Sequence, residues 1–108
     1  MRKFSDLAWQ QQFVLLWIIK FIRDNKRGSN KFRSSEILGF IKEEPGYVDA
    51  NKNKDIERSL GGTLGALSKE GHIQKLISER DPLWQLESDL GFEPKKLNRA
   101  LGFITYWV

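Results

Sequence analysis

The chain has 108 residues, a formal net charge of +4 at pH 7 and 40% apolar residues, including seven Phe and four Trp. This length accommodates one domain with a single core, and the apolar content excludes an intrinsically disordered chain. The chain contains no cysteine, which excludes disulfides, thiolate metal sites and cysteine nucleophiles. The positive balance is compatible with a polyanionic partner.

The longest apolar run spans residues 13–19 and resumes at Phe21 and Ile22 after Lys20. This run is too short to cross a bilayer. Asp6, the glutamines at 10–12 and the lack of a small-residue cleavage motif distinguish the region from a signal peptide. We therefore expect a cytoplasmic protein without a membrane partner.

The first predicted element is a helix over residues 7–24, because this stretch holds no Gly or Pro and Asp6 or Ser5 can cap its start. Its apolar residues cover an arc of roughly 200° on a helical wheel, which is more than one core-facing side requires. Trp9, Phe13 and Leu16 fall outside that arc, at spacings i, i+4 and i+7. We therefore predict a second apolar stripe on the outer side of this helix.

Two further helices follow a polar, basic loop at residues 25–30. Ser34 or Ser35 can cap the first of these, which is predicted over residues 34–44 and ends before Pro45. The next is predicted over residues 53–70, with Asn53 as its cap and leucines at 60, 64 and 67 on its inner side. Gly71 is the expected left-handed residue at its C-terminal end.

After Gly71 the apolar period changes from 3.6 to 2. Residues 72–87 alternate as two strands around a turn at 78–82, which predicts a β-hairpin. Pro94 can open a last helix over residues 93–108, where Leu97, Leu101 and Ile104 form an apolar stripe. The predicted fold class is therefore mainly α with a small β-hairpin (α+β), in one domain covering residues 1–108.

Two segments carry a resemblance to a known family. Residues 60–73, with Leu64, Leu67, Gly71 and Ile73 at matching positions, are similar to the third helix and wing entry of winged-helix transcriptional repressors. Residues 84–91, Trp-Gln-Leu-Glu-Ser-Asp-Leu-Gly, resemble the way such proteins leave the wing. The PadR-like repressors, which have a dimerising helix after the wing, match this pattern best. The resemblance implies a winged helix with flanking N-terminal and C-terminal helices and a DNA-binding function.

No arrangement of residues indicates catalysis, a metal site or a cofactor. His72 is the only histidine, so a zinc site would need mostly carboxylates. Glu43 and Glu44 are adjacent, and adjacent helical residues point in different directions. The glycine-rich segment 61–65 is neither a phosphate-binding loop nor a dinucleotide fingerprint. We therefore expect a non-enzymatic protein without cofactor or metal.

The third helix is the predicted DNA-binding element. Arg58, Gly61, Gly62, Gly65 and Lys69 form one line opposite its leucines, and glycines allow a close approach of the backbone to DNA. The basic segment 23–33, together with the start of the second helix, is expected to contact phosphates. The residues predicted to contact DNA are Arg33, Ser34, Ser35, Lys54, Arg58, Gly62, Thr63, Lys69, Lys75 and Arg80.

Two functions stay open at this stage. The first is a sequence-specific DNA-binding protein, a small transcriptional regulator that binds double-stranded DNA. The second is a protein-interaction winged helix, an adaptor within a larger assembly that binds a protein through the glycines of the third helix and the aromatic stripe of the first. Two departures from the family pattern favour it: the wing carries Glu79 and Asp81 beside Arg80, and the connector before the third helix is long for a helix-turn-helix. The surplus apolar residues of the first and last helices also predict a homodimer. Its predicted interface comprises Trp9, Phe13, Leu16, Leu101, Phe103 and Trp107.

Overall fold

The described part of the chain consists of three α-helices and a three-stranded antiparallel sheet. It comprises residues 4–25, 29–43, 48, 55–87 and 99 of a computed structural model. The elements in chain order are a short 3-10 helix (Phe4–Asp6), α1 (Trp9–Asn25), β1 (Lys31–Arg33), α2 (Ser34–Ile41), α3 (Ile56–Lys69), β2 (Ile73–Ile77) and β3 (Leu83–Leu86).

The sheet has the order β1-β3-β2, with β3 hydrogen-bonded to both neighbours. Strands β2 and β3 lie within the predicted hairpin region, and their register shifts between Lys75 and Ile77. The first strand, β1, was not predicted, because three residues are too few to show a period of two. It pairs antiparallel with β3, with Phe32 opposite Trp84, and both side chains are buried. Strand β1 therefore joins the hairpin to the chain between α1 and α2.

Helix α1 is buried over a wider arc than predicted. Phe13 and Leu16, expected on an outer stripe, are both 0% exposed. That prediction is wrong because α1 packs against both α2 and α3, so its core-facing side extends around most of the helix. Trp9 is 36% exposed and remains at the surface at the start of α1.

The helix ends differ from the predicted bounds by a few residues. Helix α1 begins at Trp9 rather than Leu7, after the 3-10 helix, and α2 ends at Ile41 rather than residue 44. Helix α3 begins at Ile56, and Asp55 caps it instead of Asn53, since the Asp55 carboxylate accepts hydrogen bonds from the N–H groups at positions 57 (3.0 Å) and 58 (3.3 Å).

The C-terminal end of α3 follows the sequence prediction. Gly71 has φ 82°, the left-handed conformation that glycine adopts without a steric penalty. The predicted last helix, residues 93–108, lies outside the described residues apart from position 99, and with it lie Leu101, Phe103 and Trp107 of the expected dimer interface.

Candidate nucleic-acid interface

One side of helix α3 is exposed to solvent and has glycines at its centre. Arg58, Gly61, Gly62, Gly65 and Lys69 are all exposed, whereas the leucines at 60, 64 and 67 are buried. The amphipathic sequence produces this orientation, because burying the leucine side turns the glycine side outward. We call these five residues the glycine line.

Within the described part of the chain, neither packing nor backbone conformation requires the glycines of this line. A Cβ atom placed on Gly61, Gly62 or Gly65 would meet no heavy atom of the described residues within 4 Å outside the helix's own nearby backbone. Among the described glycines only Gly71 has a positive φ. Glycine in a helix interior is less favourable than alanine by about 1 kcal/mol. The described residues therefore give no packing reason for glycine at these positions, and the face leaves room for a close approach to the backbone of α3.

A groove runs along each side of the glycine line. The first, of about 340 Å³, lies between α3 and the start of α1, and its lining includes Trp9, Gly62 and Thr63. The second, of about 490 Å³, lies between α3, the start of α2 and the hairpin. Its lining includes Gly61, Gly65, Lys75, Arg80 and Trp84. Helix α3 therefore forms a ridge without protruding side chains at its centre.

Cationic side chains surround this ridge. Arg58 and Lys69 lie at its two ends, and Arg80 lies on the hairpin side. All three are exposed, and their side chains have no hydrogen-bond or ion-pair partner within the described part of the chain. The Lys75 ammonium lies 5.0 Å from the centroid of the Trp84 ring, a cation–π contact that keeps it at the groove wall.

Most acidic groups near the ridge have internal partners. The Asp55 carboxylate caps α3, Glu79 forms a 3.2 Å ion pair with Arg33, and Asp81 binds Ser35. Glu57 is an exposed acid that lines the hairpin-side groove. The described residues contain equal numbers of acidic and basic side chains, so the positive excess of the chain lies in the other segments.

The start of α2 already holds an anion supplied by the chain. The Asp81 carboxylate accepts hydrogen bonds from the Ser35 N–H (2.9 Å) and the Ser35 hydroxyl (2.6 Å). The hydrogen bond from the Ser35 hydroxyl is the main cause that holds the pKa of Asp81 below 3.8. The Ser35 backbone N–H and the positive charge of Arg33 also lower this pKa, whereas burial raises it. The groups expected to contact phosphate here therefore face an internal carboxylate.

Arg33 and Ser34 are engaged in the same region. The Arg33 guanidinium donates to the Asp81 carbonyl oxygen (2.9 Å) as well as to Glu79. The Ser34 hydroxyl accepts a 2.8 Å hydrogen bond from the Trp84 indole N–H. Neither serine is the N-cap of α2: Arg33 occupies that position, and its N–H donates to Glu36 at 2.8 Å. Phosphate contact by Arg33, Ser34 and Ser35 stays a prediction.

Thr63 lies on the inner side of α3 rather than on the DNA-facing side. It is 7% exposed, and its hydroxyl donates to the Ser59 carbonyl oxygen at 3.0 Å. A DNA contact by Thr63 stays a prediction, and its hydroxyl has an internal partner in this structure. Lys54 lies outside the described residues.

His72 is buried at the junction of α3 and β2. Its backbone N–H donates to the Leu67 carbonyl oxygen (3.1 Å), and its carbonyl oxygen accepts from the Glu87 N–H (3.0 Å). The described residues contain no cluster of three or more histidines and acids that could hold a metal ion. None of the described helices is long and apolar enough to cross a bilayer.

Sequence reasoning missed the contacts between the hairpin turn and α2. The residues concerned, Asp81 and Ser35, are 46 positions apart, and no local pattern indicates that they meet. Comparison of the chain with known protein families, curated proteins and solved structures gives no match.

Proposed function

We propose that the chain is a winged-helix protein that binds duplex DNA through α3 and the hairpin. Support for the fold comes from the order of three helices and a hairpin, together with the resemblance of residues 60–73 and 84–91 to winged-helix repressors. Within this proposal α3 is the helix that enters the groove of DNA, and the hairpin is the wing.

One observation carries the DNA-binding proposal: a ridge without side chains at its centre has exposed cations at its ends and flank, and their side chains are unpaired within the described part of the chain. Double-stranded DNA presents closely spaced phosphates on both sides of a groove. Glycines allow the backbone of α3 to come close to the groove, while Arg58, Lys69 and Arg80 can reach phosphates. An apolar partner would gain nothing from cations in these positions.

The contact set is accordingly narrower than the one predicted from sequence. It comprises Arg58, Gly62 and Lys69 on α3, with Lys75 and Arg80 on the hairpin. Arg33, Ser34 and Ser35 are left out because they have internal partners. Thr63 is left out because it is buried.

The test is the salt dependence of binding to a short duplex, measured by fluorescence anisotropy between about 50 and 200 mM salt. Log affinity should fall with log salt at a slope of about −0.9 for each phosphate contact. Each of the variants Arg58→Ala, Lys69→Ala and Arg80→Ala should make the slope shallower by about 0.9, which corresponds to the loss of one phosphate contact. Lys42→Ala is the matched control, because Lys42 is exposed at the far end of α2 and lines neither groove. Unchanged binding in the three variants would contradict the proposed surface.

A second candidate is a protein-interaction module, which the first groove favours. Trp9 is exposed there beside Gly62, and exposed aromatic residues are common at the centres of protein interfaces. This candidate predicts no duplex binding at low micromolar protein and about 50 mM salt. A flat titration under those conditions would select it over DNA binding.

A homodimer remains part of the proposal, although the described residues support it less than the sequence did. Phe13 and Leu16 are inside the monomer, and Trp9 is the exposed residue of the expected interface within the described part. Light scattering at micromolar concentration, with Trp9→Ala for comparison, tests it. A full-length protein that stays monomeric across that range would contradict the dimer.

A further inference from the structure

We infer that the protein binds duplex DNA with little discrimination between base sequences. This inference rests on the proposed function and concerns what α3 can contact once it lies in the groove. It departs from the sequence-specific regulator that the resemblance implies.

Direct readout of bases needs side-chain donors and acceptors in the groove. Arginine and lysine bind guanine, asparagine and glutamine bind adenine, and carboxylates accept from cytosine. Between Arg58 and Lys69 the glycine line contains Gly61, Gly62 and Gly65. Their backbone groups lie inside α3 and are committed to its hydrogen bonds. The centre of the exposed face therefore offers no group for reading bases.

The polar residues beside the glycine line do not replace the missing groups. The Thr63 hydroxyl is buried and donates to the Ser59 carbonyl oxygen. Ser59 is half-buried and lines the groove that contains Trp9. Ala66, in the same groove, has no polar side-chain atom. These three positions present at most one hydroxyl. Ser68 is also half-buried, but it lies next to Lys69 in the last turn of α3 and not at the centre of the glycine line.

Among the described residues of α3, base-reading groups remain only near the two ends of the helix. Glu57 and Arg58 lie in its first turn and Lys69 is its last residue, so the two cations are about 16 Å apart along the axis. One good bidentate pair discriminates against a wrong base by about 5- to 150-fold. Specific proteins bind their sites about 10³- to 10⁷-fold more tightly than other DNA. A single pair from Arg58 falls below that entire range.

The two end cations are therefore assigned to phosphates on either side of the groove, with Arg80 as a third contact from the hairpin. Phosphate contacts position a protein on the duplex and carry no sequence information. The ligand class is the sugar–phosphate backbone of duplex DNA of any sequence.

The experiment uses the full chain and two measurements at one salt concentration. In the first, unlabelled duplexes of equal length and unrelated sequence compete with a labelled duplex. Their affinities should agree within about fivefold, which is the smallest discrimination expected from one base contact. In the second, a random-sequence duplex pool is taken through repeated rounds of binding, and no motif should be enriched. A selected sequence that binds more than about 100-fold tighter than its scrambled version would overturn the inference.

Two variants separate this inference from the proposed function. Arg58→Ala and Lys69→Ala should weaken binding to every duplex by the same factor, because uniform loss indicates phosphate contact. Lys42→Ala, the exposed control, should leave every affinity unchanged. A loss confined to one sequence would overturn the inference and leave the proposed function intact. Absence of binding to every duplex would overturn both.

Discussion

The Asp81 carboxylate accepts hydrogen bonds from both the backbone N–H and the hydroxyl of Ser35, at 2.9 and 2.6 Å. One residue lies in the hairpin turn and the other in the first turn of α2, so this pair connects the hairpin to the helical layer. Carboxylates at helix N-termini satisfy free N–H groups and interact favourably with the helix dipole. The hairpin is thus held by a contact at its tip as well as by its pairing with β1.

Asp81→Asn should lower the free energy of unfolding by about 0.5–1 kcal/mol, the lower part of the range for a lost cap at a solvent-accessible site. Urea unfolding at pH 7 measures the change. Glu43→Gln is the control: Glu43 is exposed just beyond α2, and its replacement should change stability by less than about 0.5 kcal/mol. In a double-mutant cycle, the loss from Asp81→Asn should be smaller in a Ser35→Ala background.

The contribution of the Asp81 carboxylate to the free energy of unfolding should disappear at acidic pH. Its pKa in the folded protein lies below the ordinary value of 3.8, chiefly because the Ser35 hydroxyl donates to it. A lowered pKa means that the stabilisation is complete well above 3.8 and is lost as the pH falls through the lower folded value. The stability difference between wild type and Asp81→Asn should stay constant from pH 7 to about 5 and shrink below about 4. A difference that grows on acidification would contradict this sign.

The open glycines should be replaceable with a gain in stability. Gly61→Ala and Gly65→Ala should each raise the free energy of unfolding by about 0.5–1 kcal/mol, because the new methyl group meets open space and alanine favours the helix. Gly71→Ala should instead destabilise the protein by about 1 kcal/mol or more, since φ at Gly71 is 82°. Thermal unfolding distinguishes the two directions.

The same substitutions should separate stability from binding. Gly61→Ala and Gly65→Ala hold the backbone of α3 away from a close partner, so duplex affinity should fall while the melting temperature rises. Gly39→Ala is the matched control, because Gly39 is an exposed glycine of α2 with the same open space and lines neither groove. It should raise stability and leave affinity unchanged. Equal affinities in all three variants would show that the glycine line is not a contact surface.

Ser34→Ala should destabilise the protein by about 1–3 kcal/mol, because it removes the hydrogen-bond acceptor of a Trp84 indole that is 4% exposed. Trp84→Phe removes the donor instead. If the hydrogen bond is the cause, Ser34→Ala should cost less in a Trp84→Phe background than in the wild type. Additive losses in urea unfolding would contradict that explanation.

Core and surface positions of α1 should respond differently to truncation. Phe13→Ala and Leu16→Ala should cost about 2–5 kcal/mol each, because both side chains are fully buried. Trp9→Ala should cost clearly less, since Trp9 is partly exposed. A small loss of stability in Phe13→Ala would contradict the burial of Phe13 and would support the outer apolar stripe that the helical wheel predicted.

The features of this protein that depend on local patterns could be predicted from the order of its residues. The leucine spacing indicated which side of α3 is buried, and therefore that the glycine line faces solvent. The change to a period of two after Gly71 indicated the hairpin, and Gly71 itself indicated the left-handed end of α3. These features follow from residues within a turn or a strand of one another, so one segment contains all the information that they need.

How the segments meet could not be predicted from local patterns. A helical wheel shows which residues of α1 are apolar but not how many neighbours surround the helix, so Phe13 and Leu16 were placed outside and lie inside. Strand β1 exists because β3 supplies its hydrogen-bond partners. The anion at the start of α2 comes from Asp81, 46 residues beyond Ser35. Each of these outcomes depends on contacts between distant segments, whose pairing is selected by the packing of the whole chain rather than by local periodicity.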